Sequence, residues 1–136
     1  MPVLILMLAL LVQSPHPPNV QVLLTNRCKL TIPEIERFWH SAIHQAAEAN
    51  TAAEKAPDPN LFLVELPSDF PCEDDDEGIG RCMGFFVRSE PMLVLFSHKD
   101  HQALEHEFLH MVLWQIGDRR WRCAGHRLDW QRGCFP

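Results

Sequence analysis

The distribution of apolar residues predicts an α+β domain, and three observations carry that expectation. Residues 31–50 place apolar side chains at helical spacing. Residues 61–96 hold short β-rich runs separated by turn residues. A second helical pattern, apolar on nearly every side, then runs from the region of Ser97 to Asp100 as far as Ile116. A long first helix and a small mixed or antiparallel sheet, both packed on that second helix, are therefore expected.

The elements follow in order. "NVQVLLTN" alternates enough to form a strand from about Val20 to Leu24. Thr31 with Glu34 three residues on is a capping box, and Pro33 suits the first turn of the helix it opens. Ile35, Phe38, Trp39, Ala42, Ile43 and Ala46 share one face of that helix, while His40 and His44 share the opposite, polar face and read as solvated surface residues. "APDPN" is a turn and Leu61 to Leu66 a strand. "PSDFPCEDDDEGIG" reads as a loop; its acidic run, Asp74 to Glu77, lacks the spacing of a calcium-binding helix-loop-helix and reads as solvated charge. "RCMGFFVRS" and "MLVLFS" form two strands joined by a turn at Glu90-Pro91, and Ser97 or Asp100 caps the next helix, which Gly117 ends. The tail from Asp118 shows no periodicity and is expected to fold as a loop.

The 136 residues favour one domain, and 46% apolar with 22% charged residues is the profile of a chain with a real core. A net charge of -6 without a basic stripe argues against nucleic acid as a partner, because phosphate attraction supplies most of that affinity. Val3 to Val12 is an uninterrupted apolar run, too short for a stable membrane span but of the length of a secretory hydrophobic region. No Lys or Arg precedes it and no small-x-small cleavage site stands out. Residues 1–18 are read as a leader and 19–136 as the domain, placed outside the cytoplasm, secreted or periplasmic. Five cysteines support that reading: Cys72 with Cys82 and Cys123 with Cys134 are plausible local disulfides, leaving Cys28 over.

The chemistry centres on "HEFLH". On a helix, residues four apart are neighbours, so His106 and His110 can both approach one zinc ion. Glu107 flanks the same position, where a carboxylate can take a proton from a metal-activated water. Histidines and a glutamate in a buried helix are costly unless something compensates them, and a metal does. A catalytic site needs a third protein ligand. No glutamate follows Glu107, and positions 113 and 116 hold Leu113 and Ile116 rather than glycine and histidine. Asp118, His126 and Asp129 remain as candidates; His126 is favoured on geometry and ligand softness, since the preceding Gly125 permits a sharp return of the chain and a Cys123–Cys134 bridge would clamp it.

From Glu105 to His126 the chain resembles the active helix of zincin-type metallopeptidases, in a minimal, exported bacterial form. The specific part of the likeness is His106-Glu107-Phe108-Leu109-His110 plus the Gly125-His126 segment. The resemblance implies a minimal zincin-like domain that hydrolyses peptide bonds. In it His106, His110 and His126 bind one zinc ion, and Glu107 acts as general base and returns the proton to the leaving amine. It also implies a cleft whose upper edge is the strand just before the active helix, Met92 to Phe96 here, against which a peptide or protein substrate pairs. Zincins often use a tyrosine, histidine or arginine at the oxyanion; the chain has no tyrosine, leaving Arg127, His98 or His101.

Two other readings compete. In a deformylase-like amidase Cys82 would be the third ligand, although that family's glycine-rich segment is missing. In a non-catalytic secreted module stapled by disulfides, His106, His110, His126 and Asp129 would close a structural site. Glu107 separates the classes, since a structural site has no use for it. Substrate identity and oligomeric state are not written in the sequence.

Overall fold

The computed structural model describes residues 18–24, 30–74, 78–89 and 91–134. Residues 1–17 of the stretch read as a leader, Cys28 and most of the acidic run lie outside the described residues. The elements are β1 (Asn19–Leu24), α1 (Ile32–Ala49), β2 (Asn60–Leu66), β3 (Phe70–Asp74), β4 (Gly78–Cys82), β5 (Gly84–Val87), β6 (Met92–Ser97) and α2 (Gln102–Gln115), with 3-10 turns at Thr51–Lys55, Arg119–Arg122 and Trp130–Arg132. The fold is α+β: a four-stranded mixed sheet in the order β1-β2-β6-β5, a separate β3-β4 hairpin, and two helices.

Helix α1 begins as the sequence requires. Thr31 Oγ1 accepts from Glu34 N at 3.3 Å. In return, Glu34 Oε1 accepts from Thr31 N at 3.3 Å. Two otherwise unpaired donors are thereby satisfied. Ile35, Trp39, Ala42 and Ala46 are the buried stripe, and His40 and His44 stand off it. His44 lies 3.6 Å from Glu48 one turn on, an exposed pair far from any ligand set.

The sheet follows from side-chain alternation. Leu61 and Leu63 on β2 and Met92, Val94 and Phe96 on β6 point into the core, while Phe62, Leu93 and Leu95 on the other face are half-buried. β1, β2 and β6 run parallel, and β5 joins antiparallel to β6 with Gly84 opposite Phe96 and Phe86 opposite Val94. This corrects the expectation that Met92 to Phe96 is the strand against which an extended substrate pairs. β6 is internal, paired on both sides, and β5 is the outer strand. The expected strand "RCMGFFVRS" is in fact broken at Met83, so that Gly78–Cys82 pairs with Phe70–Asp74 and only Gly84–Val87 reaches the main sheet. The stretch read as a loop thus contains a hairpin, closed by the Cys72–Cys82 disulfide with its α-carbons 5.8 Å apart.

Helix α2 is enclosed between α1 and strands β5 and β6, which explains its apolar surroundings on every side. Nine of its positions are buried, among them Leu104, Phe108, Met111 and Leu113. Trp39 and Phe108 meet edge to face with centroids 5.3 Å apart, the central contact between the helices. Such T-shaped aromatic pairs add to the stability that area burial alone supplies. Ser41 and Gln45 of α1 both donate to Glu105 of α2, fixing the rotation of one helix on the other. The N-terminal cap differs from expectation: His101 occupies the cap position, and Asp100 accepts from Gln102 N at 3.1 Å. Gly117, at φ 75, ends the helix as expected.

Because this contact organises the core, Phe108→Ala should lower stability by about 3–5 kcal/mol, the range for an aromatic-to-alanine truncation in a packed interior. Urea unfolding followed by circular dichroism measures this as a lower midpoint at unchanged slope.

Candidate metal centre

Helical spacing places His106 and His110 on one face of α2, with their Nε2 atoms 3.0 Å apart. The loop after Arg119–Arg122 carries His126 back over that face. Its Nε2 lies 3.0 Å from that of His110 and 3.3 Å from that of His106. Three histidines therefore converge in a group able to hold a metal ion. Metal–nitrogen bonds of about 2.0–2.1 Å at tetrahedral angles separate the nitrogens by about 3.3–3.4 Å, so the three rings fit such an ion with small adjustment. Without a cation the arrangement sets acceptor lone pairs against one another, and a shared proton can relieve only one pair at a time.

The surroundings hold these rings in position. His110 Nδ1 lies against the Trp121 carbonyl oxygen. A carbonyl can only accept, so Nδ1 carries the proton and Nε2 is left with the lone pair that a ligand needs. Phe86 of β5 stacks beside the same ring, with centroids 6.0 Å apart. Gly125 has φ 75, and a β-carbon there would fall 2.9 Å from His106 Nδ1. Both the backbone conformation and the close approach therefore favour glycine. The return loop is tied down at both ends. Cys123 is bonded to Cys134, and Arg120 donates to Asp118, to Ala49 O at 3.1 Å and to Gln131 O at 2.6 Å.

Burial sets the electrostatics. His106 is pushed down to about 4 by desolvation and then by the charge of His126, which keeps its ring neutral and able to ligate at pH 7. Glu107 is buried, and that burial pushes its carboxyl up to about 8. Gly84 of β5 lies directly over it: an added β-carbon would meet Glu107 Cγ at 2.9 Å and Ala103 O at 3.2 Å. A buried carboxyl next in sequence to one of three converging imidazoles is the kind of perturbed group that marks functional sites.

The other candidates are engaged elsewhere. Asp118 caps the Arg119–Arg122 turn and accepts from Arg120 and Asn50, an arrangement led by the Arg120 hydrogen bond that holds its carboxyl down at about 2. Neither it nor Asp129, exposed and 3.7 Å from Arg127, belongs to the converging group. The Cys82 sulfur is consumed by Cys72, which removes the deformylase-like ligand. His98 Nδ1 faces Leu66 O at 3.1 Å, His101 Nε2 faces the buried Glu65 at 2.9 Å, and Arg127 donates to Gly133 O at 2.5 Å. None of these three contacts directs its group at the histidine cluster. The Trp121 carbonyl, Phe86 and Gly84 take roles that no residue pattern announces. The only sequence signal for them is position: Trp121 lies two residues before the first cysteine of the return loop, and Gly84 and Phe86 alternate on one strand.

No family model, curated protein or solved structure matches the chain. The fold and site thus define it as an α+β chain whose central helix contributes to a three-histidine group able to hold a metal.

Two outcomes check this geometry. Gly125→Ala should weaken metal binding by at least about tenfold, as loss of a ligand's support does, measured by competition with a chromogenic chelator. For Glu107 the folded value, about 8, exceeds the ordinary value of 4.5. The native state therefore binds more protons than the unfolded chain between those pH values, and stability falls as pH rises through the window. Metal-free wild type should lose at least about 4 °C of melting temperature relative to metal-free Glu107→Gln between about pH 5 and pH 8. Equal pH dependence in the two proteins would contradict the buried carboxyl.

Proposed function

We propose that the chain is a zinc-dependent peptidase in which His106, His110 and His126 hold the ion and Glu107 is the general base. One observation carries the reading: three Nε2 atoms within 3.3 Å of one another, with the buried Glu107 adjacent in sequence to the first. Three ligands leave a tetrahedral position open, whereas a structural site closes with four. An all-imidazole set suits zinc among the available divalent ions.

A bound zinc ion would supply Lewis acidity toward a water and toward the scissile carbonyl. The residues of the chain do the rest. The Trp121 carbonyl fixes the His110 tautomer, and Gly84 and Phe86 cover Glu107 and His110 from the sheet side. Burial makes Glu107 a strong base, because its proton affinity is raised, and a nearby cation brings its ionised form into the neutral range. Glu107 takes a proton from the attacking water and delivers it to the departing amine.

β5 supports a peptide as substrate. Among the described residues it pairs with β6 alone, so its outer edge is open to a further strand, and its Phe86 lies beside the His110 ring. An extended peptide added to that edge would run past the site. The zincin resemblance in His106 to His110 fits the same reading, with β5 rather than β6 as the cleft strand. Two disulfides support a location in an oxidising compartment outside the cytoplasm. No helix of the described residues is long and apolar enough to cross a membrane.

Glu107→Gln should keep one zinc per chain and lower casein hydrolysis by at least about a hundredfold, the scale of general-base catalysis. His126→Ala should lose stoichiometric zinc, while Asp129→Ala retains it. Plasma emission analysis and a fluorescent casein assay measure both. Wild-type turnover by Glu107→Gln would remove the base from the mechanism.

A further inference from the structure

Alternate residues of the outer strand point down at successive parts of the site. Gly84 lies over Glu107, Phe86 lies beside the His110 ring, and Arg88, just past the end of β5, reaches the next feature along. That feature is Trp121, whose ring meets Phe86 edge-on with centroids 6.0 Å apart. The Arg88 guanidinium carbon stands 4.8 Å from the centre of the Trp121 ring, and that of Arg122 stands 5.6 Å from it. Two cations thus share one indole.

Both arginines are exposed, and among the described residues no carboxylate pairs with either. Where Arg81, Arg120 and Arg127 are each placed beside an aspartate, Arg88 and Arg122 are instead placed over one indole ring. Contact with the indole face engages the π surface of a guanidinium and leaves its N–H donors available at the edge. An anion at the edge of the indole can draw on the positive charge of both guanidiniums. The fork of donors on each arginine matches a carboxylate.

We propose that Arg88, Trp121 and Arg122 form a carboxylate-binding subsite at one end of the cleft, which selects peptides carrying a negative charge near the cleaved bond. This rests on the peptidase reading for its substrate, but its arginines take no part in holding the metal. Arg88 and Trp121 lie past Phe86 along the line of β5, so the selected carboxylate belongs to a part of an extended peptide beyond the residue that faces His110. It comes either from an aspartate or glutamate side chain or from the free C-terminus of a short peptide.

The test uses N-acetylated alanine hexapeptides in three forms: amidated and neutral, amidated with one glutamate scanned along the chain, and neutral with a free terminal carboxylate. Cleavage by zinc-loaded wild type is followed by mass spectrometry, and binding to zinc-loaded Glu107→Gln by calorimetry. One charged form should be preferred about tenfold, through KM rather than kcat, and the preference should shrink as salt rises. A scanned glutamate identifies the side-chain source, and the free-acid peptide the terminal one. Arg88→Gln with Arg122→Gln should abolish the preference, lysine at both positions should restore part of it, and Arg37→Gln on the far helix should leave it in place. The inference is overturned if the neutral peptide is cut and bound as well as every charged form, or if the preference survives the double glutamine variant. Arginine-dependent binding of the charged peptides without cleavage of any would keep the subsite and remove the peptidase reading instead.

Discussion

The convergence of three imidazoles on a helix that also forms the middle of the core is the constraint around which this molecule is built. α2 must be apolar enough to pack against α1 on one side and β5 and β6 on the other, yet it carries His106, Glu107 and His110 within that environment. Polar groups removed from water are tolerated only when something satisfies them. For His110 the Trp121 carbonyl supplies one partner, and the ring's other nitrogen faces His106 and His126. For Glu107 burial alone accounts for its raised proton affinity, so its charged form is costly in the core. A divalent cation at the meeting point of the rings would take up the lone pairs of all three imidazoles.

The loop after α2 is what makes the meeting point possible. It holds only short 3-10 turns, so its shape depends on cross-links rather than on a regular ladder. Arg120 ties it to the end of α1 and to Gln131, the Cys123–Cys134 bridge closes it, and Gly125 lets the chain pass tightly over His106. The same segment delivers His126 as a candidate ligand, the Trp121 carbonyl as orienter, and the Trp121 ring as platform for the two arginines. The candidate ligand, the orienter of His110 and the Trp121–Arg122 half of the proposed subsite are thereby carried on one cross-linked segment, with Arg88 supplied from the end of β5.

Much of this was legible in the sequence because the relevant signals are local. The Thr31–Glu34 box, the α1 stripe and the His106–His110 spacing are fixed by helix geometry within a few residues, and each is found where expected. His126 was reachable through its glycine and the flanking cysteines. The identity of the outer strand was not legible, since Gly84–Val87 and Met92–Ser97 are both short apolar runs, and only pairing with β2 distinguishes the inner one. The broken strand at Met83 escaped for a related reason: hairpin pairing with Phe70–Asp74 depends on a contact closed by Cys72 and Cys82. A backbone carbonyl as the orienter of His110 has no residue-type signature at all. Asp118, His98, His101 and Arg127 had suitable chemistry, but the structure commits them to capping, to backbone carbonyls and to Glu65.

X-ray absorption at the zinc edge of the metal-loaded protein addresses the central proposition most directly. The account requires a first shell of nitrogen or oxygen at about 2.0–2.1 Å, with outer-shell scattering from three imidazoles and no sulfur at about 2.3 Å. A sulfur scatterer, or a shell containing fewer than three imidazoles, would contradict it.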